Sequence, residues 1–141
     1  MSSVVVLDRV SVTYPSGHTA LGEVSLRIDA GEFAFLVGPS GAGKSTLIGL
    51  LVRDVIPTSG EVHVAGLPVH QLSGGEVPHL RRRIGVVFQD FRLLPKRTVR
   101  ENVAFALEVT GAAPDVVAEA TDQALRIVGL SKLAERYPSC L

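Results

Sequence analysis

The spacing of apolar residues changes along this chain, and each change marks an element. From Gly22 to Asp29, Val24, Leu26 and Ile28 alternate with Glu23, Ser25 and Arg27, the two-residue period of a half-buried strand. Ser3–Leu7 is a dense run of β-formers that predicts a preceding strand, with Tyr14-Pro15-Ser16-Gly17 as the turn region between the two. Phe33-Ala-Phe-Leu-Val37 and Ile84-Gly-Val-Val-Phe88 are short unbroken apolar runs, which predict strands covered on both faces, as in a parallel sheet. Glu61 to Ala65 reads as a further strand, set between the turn signals Pro57-Thr-Ser-Gly60 and Gly66-Leu-Pro68. Helical spacing appears at Leu47, Ile48, Leu50 and Leu51 and takes over from Val99 onward. There Val103, Ala106 and Leu107, then Val116, Val117, Ala120, Ala124, Leu125 and Val128, recur at helical spacing, and the stripe from Val116 to Val128 is read as core rather than interface. Gly111 to Pro114 separates two helices, Asp115 favours the second one's N-terminal dipole, and Gly129 is its expected C-cap before a short piece at Ser131 to Tyr137.

Between the apolar run ending at Val37 and the helix beginning near Leu47 lies Gly38-Pro39-Ser40-Gly41-Ala42-Gly43-Lys44-Ser45-Thr46, a full G-x-x-x-x-G-K-[ST] loop. Successive backbone N–H groups turned inward at the positive end of a helix make a nest for phosphate. Glycines at 38, 41 and 43 let the backbone approach without a Cβ in the way. Lys44 then reaches β- and γ-phosphates, and the Ser45 hydroxyl serves Mg²⁺. Strand, loop and helix stand in the order that this chemistry requires, so the chain is read as binding a nucleoside triphosphate.

Composition narrows the rest. A sequence of 141 residues, 46% hydrophobic and 20% charged with a formal net charge of zero, is sized for one globular domain and gives little support to nucleic-acid binding. It holds no run of 18 apolar residues and no signal-type N-terminus, so a cytoplasmic protein is expected. The single cysteine, Cys140, has no partner for a disulfide, and the histidines are scattered rather than set at zinc-ligand spacing.

The phosphate loop, the aromatic Tyr14 upstream and Val87-Phe88-Gln89-Asp90 downstream resemble the ATPase subunit of ABC transporters over essentially the whole chain. The resemblance implies an α/β P-loop NTPase fold of ABC type, present incompletely: an antiparallel β subdomain, part of the parallel core sheet and the start of the helical subdomain. It implies a β subdomain and partial nucleotide-binding core over 1–97 and a truncated helical subdomain over 98–141. ATP and Mg²⁺ are the implied cofactors, with Tyr14 stacking on adenine and Gln89 reaching Mg²⁺ and the attacking water. Lys44 and Gln89 are then the catalytic candidates, and Ser45 and Gln89 the metal candidates. The wording Glu76-Val-Pro-His-Leu-Arg-Arg-Arg, Phe88-Gln-Asp-Phe-Arg-Leu-Leu94 and Asn102-Val-Ala-Phe-Ala-Leu-Glu108 is most similar to the cell-division branch of that family. That branch implies an FtsX-like integral membrane partner, a homodimer closed around nucleotide, and a location on the cytoplasmic face of the membrane. An ABC exporter or lipoprotein-release ATPase is the alternative within the family.

Leu72-Ser-Gly-Gly-Glu76 is close to the family's signature motif but precedes Gln89, where the signature does not belong. Ser73 and Glu76 have capping-box spacing for a short helix, which Pro78 in a first turn would instead start near Val77. The resemblance places the true signature, the Walker B acids and the switch histidine beyond Leu141, and His18, His63, His70 and His79 all precede Gln89. On that reading the chain keeps the binding half of an ATPase site, and a nucleotide-binding module without turnover stays open beside the enzyme. Residues 1–141 alone are expected to be marginal or aggregation-prone, because apolar strands such as Phe33–Val37 would lack neighbours. Arg81, Arg82, Arg83, Arg92, Lys96, Arg97 and Arg100 form a basic stretch, read as a solvated face with an anionic membrane surface or acidic partner as alternatives.

Overall fold

A computed structural model describes residues 3–140. They divide into two compact units, one running to Val86 and the other starting at Val87.

The first unit is built on an antiparallel sheet of order β2-β1-β3-β4, formed by β1 (Ser3–Thr13), β2 (Thr19–Asp29), β3 (Ser59–Val64) and β4 (Leu67–Pro68). Both hairpin strands run further than the apolar pattern alone predicts. The alternation in β2 is observed, with Val24, Leu26 and Ile28 packed against the core. Leu7 pairs with Leu26 on one side and Val62 on the other, which puts the apolar faces of β1, β2 and β3 in register. Registers shift between Leu7 and Val10, where Arg9 takes φ 46°. Serine hydroxyls across the hairpin serve the backbone groups this bulge frees: Arg9 N–H donates to Ser25 Oγ at 3.0 Å and Glu23 N–H to Ser11 Oγ at 2.9 Å. Helix α1 (Lys44–Leu51) lays Leu47 and Leu50 into the core beneath Val10 and Val62, closed by Leu80 of α2 (Val77–Arg81). The helix start near Val77 is the one observed. Glu76 is the N-cap of α2 but its side chain bonds no amide of the helix; its carboxylate instead accepts from both N–H and Oγ of Ser73, which lowers its pKa.

Two predicted strands are corrected. Phe33–Val37 and Ile84–Phe88 form no ladder, and among the described residues no segment hydrogen-bonds alongside them as a strand. A strand exists only through its neighbours, so β propensity without a pairing edge leaves irregular chain. The consequence is exposed apolar surface: Phe33 and Phe35 are each 81% exposed and Val87 96%. Ile84 alone of the second run packs on the core.

The second unit is helical, with α3 (Val99–Glu108) against α4 (Pro114–Ile127). Its core is Val99, Leu125 and Ala134, flanked by Val103 and Leu130. The predicted stripe is thus only partly buried, since Val116 and Val128 are exposed. Thr98 and Glu101 make a reciprocal capping box at the start of α3. The remaining first-turn donors are also used: Val99 N–H donates to Arg136 O and Arg100 N–H to Ala134 O. At the far end of α4, Gly129 at φ 73° donates to Arg126 O and Leu130 N–H to Leu125 O, the paired bonds of a left-handed cap. Arg100 joins Asp122 of α4 and Glu135 of the closing segment.

Two outcomes follow. The 141-residue chain by itself is expected to self-associate through Phe33–Val37, and Phe35→Lys to reduce that association; a monomer in sedimentation with a cooperative melt would contradict this. The Arg100 hydrogen bond lowers the Asp122 pKa below its usual 3.8, so the pair stabilises the fold above the unfolded value and ceases to as pH falls through the folded one. In thermal melts of the native protein, Asp122→Asn therefore lowers Tm at pH 7, and its deficit shrinks towards zero as pH falls from about 5 to about 2.

Candidate functional site

The phosphate-loop residues converge where α1 meets the β1–β2 hairpin. Gly43 caps α1 at φ 87°, a left-handed conformation that a side chain would strain. Space is as restrictive as the angle: a Cβ on Gly43 would stand 2.5 Å from Ala20 O and 2.8 Å from Leu21 Cδ2. The loop therefore turns into the helix only by pressing bare backbone against β2. A Cβ on Gly38 would come 3.1 Å from that of Ala42, so the other side of the loop is closed on itself as well.

Lys44 is the first residue of α1, and its Nζ donates to Gly38 O and Pro39 O, both at 2.7 Å. The ammonium thus lies over the loop, held by carbonyls that compete poorly with an anion for a positive charge. Ser45 is exposed on the same first turn, whereas Thr46 is buried. These groups line a hollow of about 510 Å³ together with Ser40, Gly41, Tyr14, His18 and Ala20. Its lining combines a helix N-terminus bearing a cation and hydroxyls with an aromatic ring. Such a hollow fits a ligand with an anionic end and a flat apolar end.

Predicted residues Tyr14, Ser40, Gly41, Gly43, Lys44, Ser45 and Thr46 line this hollow, and Gly38 and Pro39 bind its lysine. Ala42 supplies the turn, its N–H donating to Pro39 O at 3.2 Å. Gln89 belongs to the second unit, exposed in a turn between Phe88 and Phe91. His18 lines the hollow without having been singled out; its only sequence signal is its place one residue after Gly17 in the turn that carries Tyr14.

A family model described as ABC transporter matches residues 21–140, from within β2 through the loop and both helices. The chain belongs to the ABC transporter family. It is similar to the cell division ATP-binding protein FtsE of Mycobacterium tuberculosis, 50% identical over 135 residues, which are 95% of this chain and 59% of that protein. It is also similar to the methionine import ATP-binding protein MetN of Geobacillus kaustophilus, at 44% identity over 97% of this chain and 41% of that one. Among solved structures it resembles the ATP-binding cassette MJ0796, a dimer bound to ADP and Pi, with a TM-score of 0.85 and 34% identity over 97% of this chain and 62% of that one. The chain thus spans about three-fifths of the length of that FtsE and of the MJ0796 cassette, and its fold is that of an incomplete ABC cassette.

This ABC domain neutralises most of its basic stretch internally. Arg81 pairs with Asp54, Arg97 with Glu108 at 3.1 Å, and Arg100 with Asp122 and Glu135. Arg92 lies 3.8 Å over the Phe88 ring and 3.6 Å from Asp90. Apart from Asp90, these carboxylates lie outside the stretch in sequence, which is why it reads as more cationic than it is. Leu72–Glu76 forms a turn ahead of α2 and takes no part in the hollow.

Gly43→Ala combines a left-handed Cβ with a backbone clash and is expected to cost about 2 kcal/mol or more, with loss of the loop's anion affinity. Chemical denaturation of the native protein and calorimetric titration with Mg–ATP check both effects; an unchanged variant would contradict the close approach.

Proposed function

We propose that this chain carries the nucleotide-binding part of an ABC-type ATPase of bacterial cell division, acting with an FtsX-like integral membrane protein on the cytoplasmic face of the membrane. The observation that carries the reading is the convergence of an aromatic ring, a lysine and a helix N-terminus on one hollow, in a chain 50% identical to an FtsE. Loop amides of Gly41 to Thr46 and the Lys44 ammonium hold the β- and γ-phosphates of ATP. The Tyr14 ring stacks on adenine. Ser45 and Gln89 would hold Mg²⁺, whose charge would offset that of the phosphates, and Gln89 would orient the attacking water. Two copies close around nucleotide, in keeping with the dimeric cassette that this chain resembles.

A second reading is supported by the 44% identity to MetN: an ATPase energising the uptake of a small solute. The two differ in what depletion of the protein does to a cell. Depletion is expected to give elongated, division-blocked cells with normal methionine uptake; normal division with impaired uptake would favour the import reading. Lys44→Ala is expected to weaken binding of a fluorescent ATP analogue roughly a hundredfold, and binding unaffected by that change would refute the assigned site.

A further inference from the structure

Tyr14 stands at the end of β1, in a turn closed by Gly17 N–H donating to Tyr14 O at 2.8 Å and Tyr14 N–H to His18 O at 2.9 Å. These bonds fix the backbone, and Tyr14 is 38% exposed. Its hydroxyl meets Thr46 Oγ1 at 3.1 Å, across 32 residues of sequence. Thr46 is the opposite kind of residue. It is 8% exposed on α1, followed immediately by Leu47 in the core, and its β-branched side chain has few rotamers open to it within a helix. A hydrogen bond from a partly exposed side chain to a buried one restricts the rotamers open to the exposed partner.

We propose that the Thr46 hydroxyl is a positioning group for Tyr14, so that the aromatic ring is locked to the phosphate loop's own helix before any ligand arrives. The proposal rests on the nucleotide-binding reading and adds to it a physical link between the base end and the phosphate end of the hollow. Both parts of its lining meet on the first turn of α1: Lys44 and Ser45 offer the cation and the hydroxyl, and Thr46 bonds the ring's hydroxyl. A pre-set ring saves the ligand the loss of rotamer freedom that ordering it would entail. The bond also turns the Tyr14 hydroxyl toward the helix, so the ring offers its face to a base and reads no base edge.

The experiment uses calorimetric titration of the native protein and its variants with Mg–ATP, Mg–GTP and inorganic tripolyphosphate. Tyr14→Phe keeps the ring and removes the bond; it is expected to weaken ATP and GTP by the same factor, roughly fivefold, and to leave tripolyphosphate unchanged. Thr46→Val is expected to lower the ratio of ATP to tripolyphosphate affinity by the same factor, Thr46→Ser to restore it, and the Tyr14→Phe/Thr46→Val double variant to lower it no further. ATP binding by Tyr14→Phe at wild-type strength would overturn the proposal, as would additive effects in the double variant. Unequal factors for ATP and GTP would overturn it in favour of a hydroxyl that touches the base. Loss of tripolyphosphate binding in Tyr14→Phe would show a general disturbance of the loop instead. Failure of the nucleotide-binding reading is told apart by Lys44→Ala, which leaves all three ligands unaffected only if that reading is wrong.

Discussion

The structure of the site depends on one close approach, the backbone of Gly43 against the carbonyl of Ala20. Everything that makes the loop an anion nest lies on one side of that contact, and the hairpin that carries Tyr14 lies on the other. No side chain fits between them, and the φ of 87° at Gly43 is one that residues with a Cβ avoid. The register of β2 against β1, set by Leu7 opposite Leu26, therefore fixes where the phosphate loop stands. Burial of Leu47 and Leu50 beneath the same sheet holds α1 in place after the turn. Core packing and ligand geometry are thus one problem in this unit.

The second unit is organised differently. Its apolar core is small, and hydrogen bonds carry much of the arrangement. Asn102 is the densest example: its Oδ1 accepts from Leu94 N–H at 2.7 Å, and its Nδ2 donates to the carbonyls of Leu94, Arg97 and Thr98. One side chain from the first turn of α3 thereby orders the segment entering the helix. Arg100, in the same turn, ties α3 to α4 and to the segment at Glu135. Exposed ion pairs are individually weak, yet here they accompany backbone bonds from Val99 and Arg100 to Arg136 and Ala134, so the network acts on already ordered chain.

Much of this was legible in the residues. The loop motif, the alternation of β2, the turn at Tyr14 and the cap at Gly129 each depend on local chemistry, and local chemistry is what a sequence displays. The family match over residues 21–140 bears out the ABC resemblance, and it begins after Tyr14. Phe33–Val37 and Ile84–Phe88 failed as strands because pairing is a property of two segments, and apolar content describes only one. Thr98-x-x-Glu101 was a readable capping box that the emphasis on apolar spacing passed over. The pairing of the arginines with Asp54, Glu108, Asp122 and Glu135 was not readable, since each partner is brought in by the fold. Nor was the bond from Tyr14 to Thr46, which depends on how α1 docks under the hairpin.

The central claim is that the hollow between the loop and Tyr14 is where a nucleoside triphosphate binds, its phosphates on the α1 N-terminus and its base on the ring. The most direct measurement is a titration of the isotopically labelled native protein with Mg–ATP, followed by amide and aromatic NMR shifts. The account predicts that the largest changes fall on the amides of Gly41, Gly43, Lys44 and Ser45 and on the ring protons of Tyr14, saturating together. Shifts confined to other parts of the protein, or loop amides that move without the Tyr14 ring, would contradict it.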